Sequence, residues 1–338
     1  MIPPPPPPQP APPSLATLLG DALPAVLADC RRHTGEILTI APATGGNVSH
    51  VFRVQGSRRN AIVKARRSRF AKIPTLRTDP ALIADERRAL EVYGTAAPGL
   101  FPRVLGFHDQ AHAMVLTDVF PDGLNYHQHL HRRPATVAET TRLGATLRGI
   151  HQATREVHTR IRSQGDVWFR EHTFDFCLRA RGHKTLDEAC RQMAARPGQQ
   201  LILGDLAPKN LSLANDGVAL CDLDNVHRGW PLYDVAYFLA HLLIHHLTRP
   251  HHLPALVPAL LAGYLGTNAP ERAEDPLMAT VTAGVVLYRL ASTTVPYPLA
   301  QPPAVTERYR DRVLELLDSG TFIVRDLVNA AGSERGPA

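Results

Sequence analysis

Four residues that can do chemistry stand close together in Leu201-Ile-Leu-Gly-Asp205-Leu-Ala-Pro-Lys-Asn210 and Val218-Ala-Leu-Cys-Asp222-Leu-Asp224. Asp205 is a lone carboxylate, Asn210 a carboxamide, and Asp222 with Asp224 a carboxylate pair. Around one tight loop and one hairpin, that set suits a site where Mg²⁺ holds nucleotide phosphates for transfer. Such groups repel and desolvate badly unless a cation or proton joins them. The elements that must position them read directly. Gln200–Leu203 is an apolar run ending at Gly204, and Leu211–Leu213 and Val218–Cys221 flank the turn signal Asn215-Asp216-Gly217.

Phosphoryl transfer needs positioning and charge neutralisation more than covalent help. Asp205 fits the carboxylate that receives the proton of an attacking hydroxyl; a turn-capping aspartate is the plainer reading. Asn210 and Asp222 fit oxygen ligands for Mg²⁺. Asp224 fits a second metal carboxylate or a group that orients the loop. Lys64, ending the extended run Asn60–Lys64, fits the cation for the nucleotide α/β-phosphates, and Glu86 on the following helical pattern fits its ion-pair partner. By themselves, a strand-end lysine and one charge in Asp85-Glu86-Arg87-Arg88 read as solvated groups. Thr44-Gly45-Gly46-Asn47-Val48-Ser49 fits a backbone loop over the phosphates, since glycines let N–H groups approach anionic oxygens. It is not a Walker A loop, because no Gly-Lys-Ser/Thr follows.

The surrounding chain divides in composition near Thr117. Before it, strand-like runs at Glu36–Ile40, Val51–Val54, Asn60–Lys64, Arg103–Phe107 and Ala113–Leu116 enclose one helical pattern, Pro80–Tyr93. That order describes a small antiparallel sheet with one helix packed on it. An earlier helix spans Ser14–Arg32 with Ser14 as N-cap. After Thr117 helices dominate: Thr136–Thr154, Thr185–Ala195, Leu232–Leu247, His252–Leu265, Pro276–Ala291 and Ala304–Leu317. Arg155–Lys184 is irregular, either a substrate-facing insertion or a long surface loop. The expected organisation is a proline-rich tail at 1–13, an N-lobe at 14–118, a C-lobe at 119–330 and a tail at 331–338.

The totals narrow the function classes. The 338 residues carry a formal net charge of +6 and 44% hydrophobic residues, enough for a real core. The basic residues form no run or heptad, so the balance reads first as a solvated basic surface; it could suit an anionic ligand such as ATP and argues little for nucleic acid. No apolar stretch is long enough for a membrane helix, and the proline-rich start lacks the regions of a signal peptide. Cys30, Cys177, Cys190 and Cys221 form no metal or disulfide spacing, which fits reduced thiols in the cytoplasm. His241, His245, His246, His251 and His252 resemble a metal cluster at first sight. Without ligand carboxylates or a His-Glu-x-x-His pattern, they are expected to be helix-surface and helix-end histidines.

The order Gly-rich turn, Lys64, Glu86, connector, Asp205, Asn210, Asp222 is that of the protein-kinase-like architecture. The chain resembles the aminoglycoside phosphotransferase / choline kinase superfamily of small-molecule kinases. Gly204-Asp205-Leu-Ala-Pro-Lys-Asn210 resembles its His-Gly-Asp-Leu-His-Pro-x-Asn loop. Cys221-Asp222-Leu-Asp224 with Gly229-Trp-Pro-Leu-Tyr233-Asp234-Val-Ala236 resembles its Ile-Asp-x-Glu/Asp segment and the Gly-x-Pro-x-Tyr-Asp-Leu-Ala run after it. Leu143-Gly-Ala-Thr-Leu147-Arg-Gly-Ile150-His151 resembles its Leu-Gly-x-x-Leu-x-x-Leu-His helix. Gly46-Asn47-Val-Ser-His-Val51-Phe52 is similar to the phosphate loop of methylthioribose kinases.

The resemblance implies an α+β, bilobal protein-kinase-like fold: a small antiparallel-sheet N-lobe and a larger, mainly helical C-lobe. It implies Asp205 as catalytic base, Asn210 and Asp222 as Mg²⁺ ligands, and Lys64 with Glu86 as the phosphate pair. ATP or GTP would lie near the connector Leu116-Thr117-Asp118-Val119, and Asp234 would bond back to the catalytic loop. Leu203 and Ala207 depart from the family's two histidines, which keeps a catalytically impaired, nucleotide-binding relative as the alternative. A protein kinase fits less well, since the stretch from Asp222 to Asp234 has no room for an activation segment. The expected acceptor is a small molecule with a hydroxyl. An aminoglycoside calls for more acidic residues than Glu271, Glu274 and Asp275, and choline for more aromatics than Trp168 and Trp230 supply. A neutral or anionic sugar-like metabolite suits the basic balance better.

Overall fold

In the computed structural model the described residues are 13–43, 46–120, 123–162, 182–213, 217–266, 275–291 and 297–332. Gly45, Trp168, Cys177, Glu271, Glu274, the middle of Arg155–Lys184 and most of both expected tails lie outside them. The chain forms two compact units, Met1–Ile83 with Val104–Asp118, and Ala84–Arg103 with Val119–Ala338.

The first unit is built on five antiparallel strands, β1 (Ile37–Pro42), β2 (His50–Gly56), β3 (Asn60–Ala65), β4 (Val104–His108) and β5 (Ala113–Thr117), in the order β1-β2-β3-β5-β4. Alternation along three strands sends Phe52 and Val54, Ala61, Val63 and Ala65, and Ala113 and Val115 to one face. That face forms one buried core with Leu15 and Leu19 of α1 (Leu15–Leu19) and Val26 and Cys30 of α2 (Leu23–Thr34). The sequence places the sheet's helix at Pro80–Tyr93; the helix seated in this core is α2. Ser14 caps α1, its hydroxyl accepting from the Thr17 N–H at 3.1 Å. The single helix expected over Ser14–Arg32 is broken by a 3₁₀ turn at Gly20–Ala22. Pro24 explains the break, because proline fits only the first turn of a helix and so forces a restart there. Burial pushes the Cys30 thiol up to about 11, which makes it an inert packing group.

The second unit contains α3 (Leu82–Ala96) from Ala84 onward, α4 (Tyr126–Arg132), α5 (Val137–Ala153), α6 (Lys184–Ala195), α7 (Leu232–His245), α8 (Leu253–Leu265), α9 (Pro276–Ala291), α10 (Pro303–Ser319) and α11 (Val324–Gly332). Capping boxes start α4 (Asn125 with Gln128) and α5 (Thr136 with Glu139). At Gly144 of α5 an added Cβ would meet the Leu260 carbonyl oxygen of α8, so only glycine permits that approach. Every residue of α7 is buried. A helix apolar on all sides belongs at the centre of a bundle, and its few polar side chains are therefore functional candidates. Two short ladders complete the unit, β6 (Gln200–Ile202) with β9 (His227–Gly229) and β7 (Leu211–Ser212) with β8 (Ala219–Leu220). This architecture is the bilobal kinase-like α+β fold, a five-stranded antiparallel unit and a mostly helical one. No helix among the described residues is long and apolar enough to cross a membrane.

Candidate functional site

The Asp205 loop leaves β6 through Gly204, whose φ is +76°. A Cβ there would collide with the Asn225 carbonyl oxygen, so the turn demands glycine twice over. Asp234, in the first turn of α7, holds the loop from below. Its carboxylate accepts from the backbone N–H groups of Leu203 and Gly204, both at 2.8 Å. His151 Nε2 reaches it at 3.0 Å, and Tyr264 OH lies 2.8 Å from the other imidazole nitrogen. A carboxylate only accepts, so Nε2 carries the proton and the tyrosine hydroxyl donates to Nδ1. Leu203 and Ala207 are buried and apolar, and the loop is fixed through backbone and Asp234 without a histidine at either place.

Asp205 is held on both oxygens. Tyr237 OH donates to Oδ1 at 2.8 Å and Arg289 reaches the same oxygen at 3.3 Å. Lys209 Nζ lies 3.3 Å and Asn210 Nδ2 3.1 Å from Oδ2. Burial by itself would raise the Asp205 pKa; Lys209 and Arg289 beside it, with the Tyr237 hydrogen bond, bring it below the ordinary carboxylate value. The carboxylate stays ionised at neutral pH. Asn210 also donates to the Asp205 carbonyl at 3.0 Å, which leaves its own side-chain oxygen as the group it can offer a cation. Its backbone carbonyl accepts from the Cys221 N–H at 2.9 Å, tying this loop to the one carrying Asp222.

Asp222 and Asp224 would share one face if the strand continued through them. It ends instead at Leu220, and Asp222 has φ +65°, a left-handed conformation that aspartate tolerates better than most residues. The turn still gathers carboxylates: one oxygen each of Glu86, Asp222 and Asp224 lies within 4.8 Å of the others. Glu86 and Asp224 are buried. Three hard oxygen donors so close fit a divalent cation such as Mg²⁺. Glu86, expected as the partner of a lysine, thus shares its surroundings with the metal-type carboxylates of its own unit.

In the first unit Lys64 is buried on β3, opposite Val51 of β2 and Met114 of β5. Gly46 and Asn47 lie between β1 and β2, and the Asn47 carbonyl accepts from the Lys72 N–H at 3.1 Å. Thr117 closes β5 opposite Ala61, and Asp118 pairs with Arg53 at 2.8 Å. Val119 begins the second unit.

Sequence reasoning gave no role to Lys209 or Arg289. Lys209, at i+4 from Asp205, was readable from spacing. Arg289 is the lone charged residue in the apolar run of α9, a signal in itself because a buried charge requires a partner. The histidine reading is corrected: His241, His245 and His246 are buried in and beside α7 rather than on a helix surface, because α7 has no surface. His127 and His131 of α4 join His245, their ligand nitrogens within 4.8 Å of one another.

The family model for the phosphotransferase enzyme family matches residues 39–276. A search of the curated proteins finds no match. Among solved structures, the amicoumacin kinase hAmiN, in complex with AMP-PNP, Ca²⁺ and Ami, is 14% identical, with 92% of this chain and 98% of that one aligned at a TM-score of 0.57. Choline kinase LicA from Streptococcus pneumoniae is 13% identical over 88% of this chain and 99% of its own, TM-score 0.54. Aminoglycoside phosphotransferase APH(3'')-Id from Streptomyces rimosus is 20% identical over 78% and 98%, TM-score 0.50. At such identities these likenesses speak to the fold, and the family model carries the membership. The chain belongs to the phosphotransferase enzyme family.

Proposed function

We propose that the protein is a small-molecule kinase that transfers the γ-phosphoryl group of ATP or GTP to a hydroxyl of its acceptor. The observation that carries this reading is the neighbourhood of an ionised, buried Asp205, bonded to Asn210, and the carboxylate group of Glu86, Asp222 and Asp224. Asp222 and Asp224, with Asn210, would hold Mg²⁺, which when bound supplies charge neutralisation on the phosphates. Lys64 takes the α/β-phosphates in this reading, with Glu86 as its partner. Gly45, Gly46 and Asn47 supply the backbone cover, and Thr117 and Val119 flank the base.

Asp205 accepts a hydrogen bond from the acceptor hydroxyl and aims its oxygen at the γ-phosphorus. The new O–P bond forms as the bond to the bridging β,γ-oxygen breaks, and the hydroxyl proton ends on the aspartate. A carboxylate of depressed pKa suits this role, because in a loose transition state the proton leaves late and orientation matters more than basicity. The substrate lacks a membrane or nucleic-acid character in this reading, and the site of action is the cytoplasm. The test is ADP release from Mg-ATP over a panel of hydroxylated metabolites and antibiotics, followed by the mass gain of one phosphate on the acceptor. Retention of all ATP across the panel, with no nucleotide binding by calorimetry, refutes it.

A further inference from the structure

A stripe of aromatic and imidazole side chains leads away from Asp205 along α7. Tyr237, His241 and His245 follow one another at helical i, i+4 spacing and so share a face. Their ring centroids are 5.4 and 6.4 Å apart in turn, and the first of them donates to Asp205. Tyr297 stands edge-on to His241 at 4.7 Å. Its hydroxyl lies 2.8 Å from His127 Nδ1 and 2.9 Å from His245 Nε2. The Arg289 guanidinium lies over the rings of Tyr237, Tyr288 and Tyr297 at 5.4, 4.9 and 5.1 Å.

Two independent features make this stripe a place for a ligand rather than ordinary core. His241 is wholly buried, and among the described residues neither of its ring nitrogens has a hydrogen-bond partner. A neutral imidazole carries one donor and one acceptor, and a packed interior does not keep both unmet without cause. The second feature is charge. Among the described residues, the groups that act on His127, His241, His245 and Tyr297 are Lys209, Arg289, neighbouring imidazoles and a single carboxylate, Asp205. Burial first, then neighbouring imidazoles and, for His127 and His241, Lys209 and Arg289, hold His127 down to about 4 and the other two imidazoles well below their ordinary value. The balance is positive, and the imidazoles are neutral groups able to donate.

We infer that the Tyr237–His241–His245 stripe with His127, Tyr297 and Arg289 is the acceptor subsite, and that the acceptor bears an anionic group, a carboxylate or phosphate ester, besides the hydroxyl it presents to Asp205. The inference rests on the kinase reading above and goes further by fixing the acceptor's charge. Arg289 and neutral imidazole N–H groups are donors suited to carboxylate and phosphate oxygens. An ammonium group would meet two cations and a single carboxylate already shared between them. The same three histidines, His127, His131 and His245, have the spacing of a transition-metal site. The nearby cations disfavour a second divalent ion there, and the Tyr297 hydroxyl already joins His127 to His245.

The test uses the full chain with Mg-ATP and acceptors sharing one skeleton: glucose, glucosamine, gluconate and glucose 6-phosphate, with choline and kanamycin as further cations. The expected result is kcat/KM at least about tenfold higher for an anionic member than for its neutral parent. His241→Leu should raise the acceptor KM about tenfold while kcat changes little, the pattern of lost binding. A merely structural imidazole would instead give an unchanged KM and a higher melting temperature. Turnover confined to amine-bearing acceptors overturns the inference and leaves the kinase reading standing. Should no member be turned over, methyl phosphate and acetate are titrated while histidine ring protons are followed by NMR. Saturable shifts that vanish in Arg289→Gln support the subsite, and their absence overturns it. Stoichiometric Zn²⁺ binding that is lost in His131→Ala also overturns it, assigning the histidines to a metal.

Discussion

Asp234→Asn isolates the device that holds the Asp205 loop. The carboxylate is fully buried and accepts from Leu203 N–H and His151 Nε2 on Oδ2, and from Gly204 N–H on Oδ1. Asparagine keeps the shape, loses the charge and replaces one acceptor by an N–H₂. In the better orientation its oxygen stays toward Leu203 and His151, and the new N–H₂ faces the Gly204 N–H. Two surviving bonds fall from charged to neutral strength, at roughly 1 kcal/mol each, and a buried donor left facing a donor adds about 1–3 kcal/mol. The expected destabilisation is therefore about 3–5 kcal/mol, a large part of the roughly 5–15 kcal/mol that a domain possesses. Urea unfolding followed by tryptophan fluorescence measures it, since Trp230 stands just before α7. Asp234→Ala should cost more, and kcat should fall in both because Gly204 and Asp205 lose their anchor. An Asp234→Asn protein within about 1 kcal/mol of the native one refutes the reasoning.

Asp205→Asn should lower kcat by about 10²–10⁴-fold or more while nucleotide binding survives in calorimetry; lost affinity with turnover intact contradicts the role. Gly204→Ala, at φ +76° and against the Asn225 carbonyl, should cost more than about 2 kcal/mol by chemical denaturation, and a neutral effect would show that the turn does not need glycine. Stability should fall as pH drops from 6.5 toward 4. Burial, followed by neighbouring positive groups, lowers His127 and His246 from 6.5 to about 4, so the unfolded chain binds their protons first and stability is complete only above 6.5. Denaturation midpoints at the two ends of that window, adjusted for the carboxylates that titrate near the lower end, test this; a flat profile refutes it. Leu203→His restores the family's residue, yet it buries a polar ring in an apolar place and should destabilise without raising kcat. A clear gain in kcat would mean that the native loop is poorly placed.

Local pattern made most of the scaffold legible. All five strands of the first unit fall where alternation put them, and α5, α6, α7, α8, α9 and α10 fall on the periodic apolar stretches. Short pieces escaped: α4 and α11 span too few turns for periodicity to stand out, and the β9 strand pairs with β6 across a long sequence gap. Pro24 stands inside an otherwise continuous apolar periodicity, and periodicity alone does not show the 3₁₀ break at Gly20–Ala22 before it. The charge partners of the site were the harder part. Arg289 meets Asp205 across 84 residues, and no spacing rule reaches that far. Histidine burial was equally hidden, because the exposure of α7 depends on the helices around it and not on its own sequence.

In the proposed kinase reading those partners decide how the aspartate works. A base flanked by Lys209 and Arg289 is weakened as a proton acceptor, and a mechanism that needed early proton removal would select against both. Phosphoryl transfer through a loose transition state does not need it; it needs the acceptor oxygen to arrive on line. Each Asp205 oxygen is fixed by two donors, Oδ1 by Tyr237 and Arg289 and Oδ2 by Lys209 and Asn210. Basicity is thereby exchanged for orientation. In the proposed reading the same cations leave the surroundings of the stripe beyond Asp205 positive once the carboxylate is counted once, so the group that sharpens the aim of the proposed base also sets which acceptors it favours. On that reading catalytic geometry and acceptor charge are coupled through Arg289, and a change there should move both.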